Sequence, residues 1–268
     1  MFKFTIIVLL VIGHASVHSY ASSADYTVID TTVYESVHAA VNDSTRLATA
    51  KARDSHRKPL DILLFSTVKP NDKILEITPG EGYYTALLSR VVGDKGTVYS
   101  VDPARAFQHL PRIKHFFSDY QKLDFRENVQ YSVQQLDHIQ LPEKVDQIWM
   151  VLYYHDTYWT GEDRQEMNRR LFKLLKPGGS LLVIDHHAHP KDRDQVTRSL
   201  HRIHDSLVMT ELVQAGFVLH STSDILSNPD DPRTDSVFAP QIRGRSDRFV
   251  WRLRKSSSES GTAFKSLY

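Results

Sequence analysis

Two stretches of this sequence bring together side chains that could do chemistry. Tyr153-Tyr154-His155-Asp156 follows one apolar run, and Asp185-His186-His187 with His189 follows another. A histidine titrates near neutral pH, so His155 could serve as a general base, with Asp156 orienting it or holding an acceptor. A hydrogen-bonded structural role for His155 is the equal alternative. Imidazoles and carboxylates arriving from two strand ends could also make an N/O site for zinc, manganese or iron. Adjacent residues of a strand point to opposite faces, however, so His186 and His187 cannot both face one ion if the strand continues through them. A divalent metal is therefore not the favoured reading. Fourteen histidines stand against no cysteine, which excludes a thiol nucleophile, thiolate metal ligands and disulfides.

A third stretch has binding character. Ile74, Leu75 and Ile77, interrupted only by Glu76, read as a buried strand, and Thr78-Pro79-Gly80-Glu81-Gly82 forces a turn. Ala86-Leu87-Leu88 and Val91-Val92 then continue at helical spacing to Gly93. Strand, glycine turn and helix leave backbone N–H groups free beside a nucleotide-like ligand, and Gly80 and Gly82 let it approach. A second strand, Gly96–Val101, ends in Asp102, twenty residues after Gly82. That is the place of a carboxylate that accepts hydrogen bonds from a ribose diol.

Here the sequence resembles the class I S-adenosylmethionine-dependent methyltransferases, whose first motif is apolar-apolar-(Asp/Glu)-apolar-Gly-x-Gly-x-Gly. Glu76, Gly80 and Gly82 are kept, while Thr78 stands where the family usually has its first glycine, implying a tighter pocket. The Leu-Lys-Pro-Gly-Gly run at Leu175–Gly179 is a recurrent feature of the same family. The resemblance covers about Arg53 to Lys255. It is closest to a little-characterised group of predicted bacterial exported methyltransferases. That group shares Arg53, Asp54, Arg57 and Pro59; Tyr154, His155 and Asp156; Asp185 and His186; His201, Arg202 and Ile203; and an ending at Arg243–Val250. The resemblance implies S-adenosyl-L-methionine as cofactor, held by Glu76, Thr78, Gly80, Gly82, Tyr83, Asp102 and Gln135. The glycine turn would meet the methionine part, Asp102 the ribose, and the Gln135 region the adenine. Gln135 and Asp137 read equally as a polar loop. His155, Asp156, Asp185 and His186 are the catalytic candidates, because ligands sit outside the carboxyl ends of strands in such a sheet.

The elements that must position these groups alternate along the chain. Asp25–Asp54 is helical in two pieces parted at Asn42-Asp43-Ser44, with Ser44 as an N-cap. Pro59 opens a helix over Leu60–Val68, and Ala104–Lys122 reads as a crossover helix. Asn128–Val133, Val145–Leu152 and Ser180–Ile184 are further strands, the second of them central because it is the most apolar. Gly161–Lys176 is an amphipathic helix closed by Lys-Pro-Gly-Gly, and Gln195–Ala215 is largely helical. His201 and His204 fall near one face of that helix and read as supporting or surface residues. Phe217–Ser223 and Arg248–Arg254 form a closing antiparallel hairpin, and the Asn228–Arg245 loop between them is long enough for a lid. The expected fold is α/β: a Rossmann-like, doubly wound, mostly parallel sheet of seven strands with a terminal antiparallel hairpin.

Length and charge fit this. A chain of 268 residues can bury one sizeable core, and 41% hydrophobic with 24% charged residues is ordinary for a globular domain. A formal net charge of +1 without a basic block gives no support to a nucleic-acid partner. Lys3 followed by the apolar Phe4–Ile12 and small residues to Ala24 reads as a signal peptide over residues 1–24, short for a membrane span, with an uncleaved anchor as the alternative. One methyltransferase-like domain at 25–255, with a helical lead-in at 25–70, and a polar tail at 256–268 complete the expected organisation. The mature protein would be exported, periplasmic or secreted, and free of the membrane. Its partner would be a small-molecule substrate, and the sequence leaves its oligomeric state open. The leading function is methyl transfer to an acceptor the sequence does not identify. The alternatives are a binding protein that keeps the fold without catalysis, and a metal-dependent enzyme using the His/Asp cluster.

Overall fold

The computed structural model of the chain describes residues 30–106, 127–192 and 196–255. The signal-peptide and tail assignments, and most of the expected helix at Ala104–Lys122, lie outside these residues.

Strand β1 (Lys73–Ile77) pairs in parallel with β2 (Thr97–Pro103) on one side and β4 (Val145–Val151) on the other. Outside these lie β3 (Val129–Gln134) and β5 (Leu175–His186), also parallel. The last two strands are β6 (Phe217–Ser223) and β7 (Arg248–Lys255), giving a seven-stranded sheet in the order β3-β2-β1-β4-β5-β7-β6. Only β7 runs against its neighbours, inserted between β5 and β6. The chain reverses direction of winding between β1 and β4, so a crevice opens at the carboxyl ends of these two strands.

Both faces of the sheet are covered, and the strands alternate accordingly. Leu75 and Ile77, Ile148 and Met150, and Leu181 and Val183 face one core. That core is closed by α6 (Arg164–Leu174) and α8 (Asp205–Gln214). Ile74, Trp149, Leu182 and Ile184 face the other. It is closed by α1 (Thr31–Asn42), α4 (Pro59–Ser66) and α5 (Tyr83–Val92). Two single turns, α2 (Ala48–Lys51) and α3 (Asp54–Arg57), link α1 to α4. No helix among the described residues is long and apolar enough to cross a membrane.

Several local expectations change. Ser44 caps no helix: Asp30 caps α1, and Asp43 bonds the Thr45 amide in a turn. The Lys-Pro-Gly-Gly run does not end α6 before a separate strand. It bulges out of β5, so that Val145 pairs with Leu175 and Gln147 already with Ser180. The lysine of that bulge reaches back to β4, where it forms an ion pair with Asp146 at 2.8 Å. The helix expected over Gln195–Ala215 is broken. A short turn, α7 (Val196–Ser199), is followed by an extended segment in which Ile203 bridges His187 beyond the end of β5. The Asn228–Arg245 loop is not a free lid. Asp231 holds the fully buried Arg202 through two bonds of 2.9 and 3.0 Å, and the Val237 amide bonds the Leu200 carbonyl.

Candidate functional site

The glycine turn lies at the carboxyl end of β1. Thr78, Gly80 and Gly82 all have positive φ, at 59°, 57° and 71°. The family's glycine position is thus occupied by a β-branched residue in left-handed backbone, a conformation costly for its Cβ. The Thr78 amide is bonded to the Val101 carbonyl, while its hydroxyl is buried and unbonded. In front of Gly80 there is room: an added Cβ would meet no atom within 4 Å. Glu76, behind the turn, accepts hydrogen bonds from Thr85 (2.5 Å) and Ser100 (2.9 Å). Burial lifts its pKa to about 7 against those bonds.

Asp102 ends β2 and is 1% exposed. One carboxylate oxygen accepts from the Tyr131 hydroxyl at 2.6 Å, and the other is buried with no partner. Burial raises its pKa to about 6, with the Tyr131 bond acting in the opposite sense. A buried carboxylate oxygen without a donor is costly and calls for one. A ribose diol supplies such donors, and the open space at Gly80 accepts the chain beyond it. The two residues together therefore fit a nucleoside-bearing cofactor.

Other residues named for that cofactor are placed less directly. The Tyr83 hydroxyl is bonded to Asp54 at 2.6 Å, and the guanidiniums of Arg46, Arg53 and Arg57 surround its ring at 5.8, 5.2 and 4.6 Å. The Arg-Asp lead-in motif thus clamps the start of α5. Gln135 is exposed. Its neighbour Asp137 is buried and bonded to Arg105 at 2.7 Å, which also holds Glu162 at 3.0 Å. Arg105 and Glu162 escaped the sequence reading because neither lies in a recognisable motif.

At the carboxyl ends of β4 and β5 the catalytic candidates come together. His155 and Asp156 sit in a short 3-10 turn, Tyr154–Tyr158, directly after β4. Asp185, fully buried near the end of β5, accepts the His155 ring Nδ1 at 2.7 Å and its amide at 2.9 Å. The His186 amide donates to the same carboxylate at 2.8 Å. Asp185 therefore fixes the ring with Nε2 facing away from it. The His186 ring stands 5.9 Å from that of His155 and is bonded through Nδ1 to Ser246 at 2.7 Å, so it is engaged elsewhere. His201, read from sequence as a supporting or surface residue, is in fact brought in by the extended segment. Its Nδ1 lies 3.2 Å from His155 Nε2 and 3.2 Å from Asp156 Oδ1.

Electrostatics in this cluster are strong. Burial opposes charge on His155, yet Asp185 and Asp156 outweigh it and raise its pKa to about 10. Burial acts to raise the Asp156 pKa, but the charged His155 beside it prevails and pulls it well below the usual range. His186 is held neutral by burial and by the nearby cations. At neutral pH His155 is thus a donor, and the general-base role would need a neighbouring carboxylate to be neutralised first.

Comparison with known proteins places this geometry in context. Residues 75–183 match a family model described as a methyltransferase domain. Over 120 residues the chain is 29% identical to the ubiquinone/menaquinone biosynthesis C-methyltransferase of Vibrio parahaemolyticus, covering 45% of this chain and 43% of the relative. The protein of the same description from Teredinibacter turnerae is 31% identical over 121 residues, covering 45% of each chain. The chain thus spans less than half the length of these curated relatives. Among solved structures, a SAM-dependent methyltransferase from Aquifex aeolicus superposes with a TM-score of 0.53 at 20% identity, covering 78% of this chain and 97% of that one. An S-adenosylmethionine-dependent methyltransferase from Mesorhizobium loti gives 0.54 at 14% identity, covering 75% and 99%. At these identities the likeness is one of fold.

Proposed function

We propose that this chain, which belongs to the class I S-adenosylmethionine-dependent methyltransferase superfamily, transfers a methyl group from that cofactor to a small or medium-sized acceptor. The observation that carries the reading is the buried, unpartnered oxygen of Asp102 beside the open glycine turn. Asp102 and the Thr78–Gly82 turn would hold the cofactor, and Glu76 supports the turn from behind through Thr85. When bound, the cofactor supplies an electrophilic methyl group on a sulfonium. The chain's own task is to hold an acceptor in line with it and to remove its proton. His155, Asp156 and Asp185 line the adjoining strand ends, across the switch point from the glycine turn, and we assign them to the acceptor end of the site. Asp185 orients His155, and Asp156, kept ionised by the charged His155 beside it, offers the acceptor a hydrogen-bond-accepting carboxylate.

The curated relatives are C-methyltransferases of ubiquinone and menaquinone biosynthesis, which makes phenols and quinols the first acceptors to assay. Calorimetry with S-adenosylmethionine and with its demethylated product tests the cofactor assignment directly. One-to-one binding of both is expected. Failure of both to bind at millimolar concentration would remove the methyltransferase reading.

A further inference from the structure

His155 Nε2, Asp156 Oδ1 and His201 Nδ1 form a nearly equilateral triangle, with sides of 3.1, 3.2 and 3.2 Å. Their shape is informative. For metal–ligand bonds of about 2.1 Å, two ligands on a tetrahedral zinc stand about 3.4 Å apart, and two on one face of an octahedral ion about 3.0 Å apart. The observed sides fall between these values. The Asp156 oxygen is buried and takes a well-aligned hydrogen bond from neither ring, although both lie within reach. Three ligand-type atoms thus converge on one point, the two imidazole nitrogens also standing at hydrogen-bond distance from each other.

From this we infer that His155, Asp156 and His201 form a binding site for a first-row divalent transition-metal ion. Two imidazoles and one carboxylate make a donor set of borderline softness, suited to zinc, iron or cobalt and ill suited to magnesium or calcium. The support behind it matches what metal-bound histidines have. Asp185 accepts the His155 Nδ1–H at 2.7 Å and is itself locked by two backbone amides, which aims Nε2 at the ion, whose binding displaces the Nε2 proton to solvent. His201 is the entrance: its side chain keeps 17% of its surface exposed, between the rings of Trp159 and Phe238 at 5.9 and 4.8 Å. Three protein ligands leave coordination positions open, the arrangement of a catalytic rather than a structural metal. An oxygen-bearing ligand entering past His201 would meet those positions. His186, tied to Ser246, stays outside the set.

This goes beyond the methyl-transfer reading and is tested without the cofactor, so the two can fail separately. The full chain, stripped with a chelator, is titrated with cobalt(II) alone and followed by its visible ligand-field bands, then with zinc(II) alone by calorimetry. One equivalent should bind in the wild type, reversibly to chelator. Asp156→Asn should weaken binding at least tenfold. So should His201→Asn, chosen because asparagine tolerates the positive φ of 53° at this position. His220→Ala, on β6 and bonded to Ser221 and Arg252, is the control for adventitious binding by the chain's other histidines and should leave the affinity unchanged. Metal-free melting curves establish that each variant is folded. Absence of binding in the wild type, or equal binding in the folded Asp156→Asn and His201→Asn proteins, would overturn the assignment.

Discussion

Replacing Asp102 with asparagine should move affinity and stability in opposite directions. The carboxyl group is 1% exposed, and its pKa rises from 3.8 to about 6 in the folded protein. Because the folded-state value lies above the unfolded one, the folded chain holds this proton more tightly. The resulting stability is fully present below about pH 4 and is lost as pH climbs through about 6. At pH 7.5 the ionised group costs the free protein about 3 kcal/mol, from about two units at 1.36 kcal/mol each. Asparagine can still accept from Tyr131, but its amide hydrogens would be buried without a partner, at about 1 to 2 kcal/mol. The balance favours the variant by about 1 to 2 kcal/mol, or several degrees in melting temperature. Cofactor binding should go the other way. Losing charge-assisted hydrogen bonds to a ribose diol costs about 1.5–3 kcal/mol, roughly 10- to 150-fold. Wild-type affinity should also fall about tenfold per pH unit below about 6, as the carboxylate is protonated, and the variant should lack this limb. Glu76 titrates at about 7, so the diagnostic is the difference between the two proteins. Calorimetry from pH 5 to 8 with parallel melting curves reads both effects. Unchanged affinity in a folded variant would take Asp102 out of the site, and affinity lost together with the fold would make it structural.

Three further substitutions probe other parts of the argument. His155→Ala should lower turnover by about 10²- to 10⁴-fold with cofactor affinity nearly unchanged, checked by kinetics beside calorimetry. Because it leaves Asp185 without its ring partner, a melting curve must accompany it, and cofactor binding lost with the fold would mark a structural role. Thr78→Gly relieves left-handed strain of about 1–2 kcal/mol against about 0.5–1 kcal/mol of added chain entropy. Chemical denaturation should find it as stable as the wild type or slightly more so, and a clear loss would show that the half-buried threonine packs usefully. Arg202→Met leaves the side chain of Asp231 charged and buried, and should cost about 3–5 kcal/mol in denaturant titrations while exposing the 228–245 loop to proteolysis. A loop equally resistant in that variant would mean that its other contacts suffice.

The parts of the fold that were legible carried short-range signals. β1, the glycine turn and α5 follow from an apolar run, two glycines and a helical repeat, all within twenty residues. The mostly parallel sheet and its closing antiparallel hairpin follow from the alternation of such units. The meeting of His155 with Asp185 was readable too, because both follow strands that a parallel sheet sets side by side. His201 was not. No glycine or proline marks a break between Leu200 and His204, and the local pattern is helical. The helix yields there because the Ile203 amide and carbonyl find better partners in His186 and Ala188, at 2.9 Å each. That choice is made by tertiary pairing, which local pattern does not record. The bulge at Lys176–Gly179 was hidden for the same reason: proline and glycines signal a turn, but whether strand pairing resumes on the far side depends on the neighbouring strand.

The extended segment after α7 has a consequence for how this molecule can change over evolutionary time. His201 points toward His155 and Asp156, while its neighbour Arg202 points toward Asp231 of the long loop, and Phe238 of that loop rests on the His201 ring. Ile203 then fastens both to β5. Two tasks thus share three consecutive residues, and a single peptide bond separates the anchor of the loop from a member of the His155–Asp156–His201 cluster. Insertions that lengthen the loop to suit a new acceptor must respect the reach of Arg202, or they drag His201 with them. Through these contacts the length of the loop and the geometry of the His155–Asp156–His201 cluster have to be altered in step.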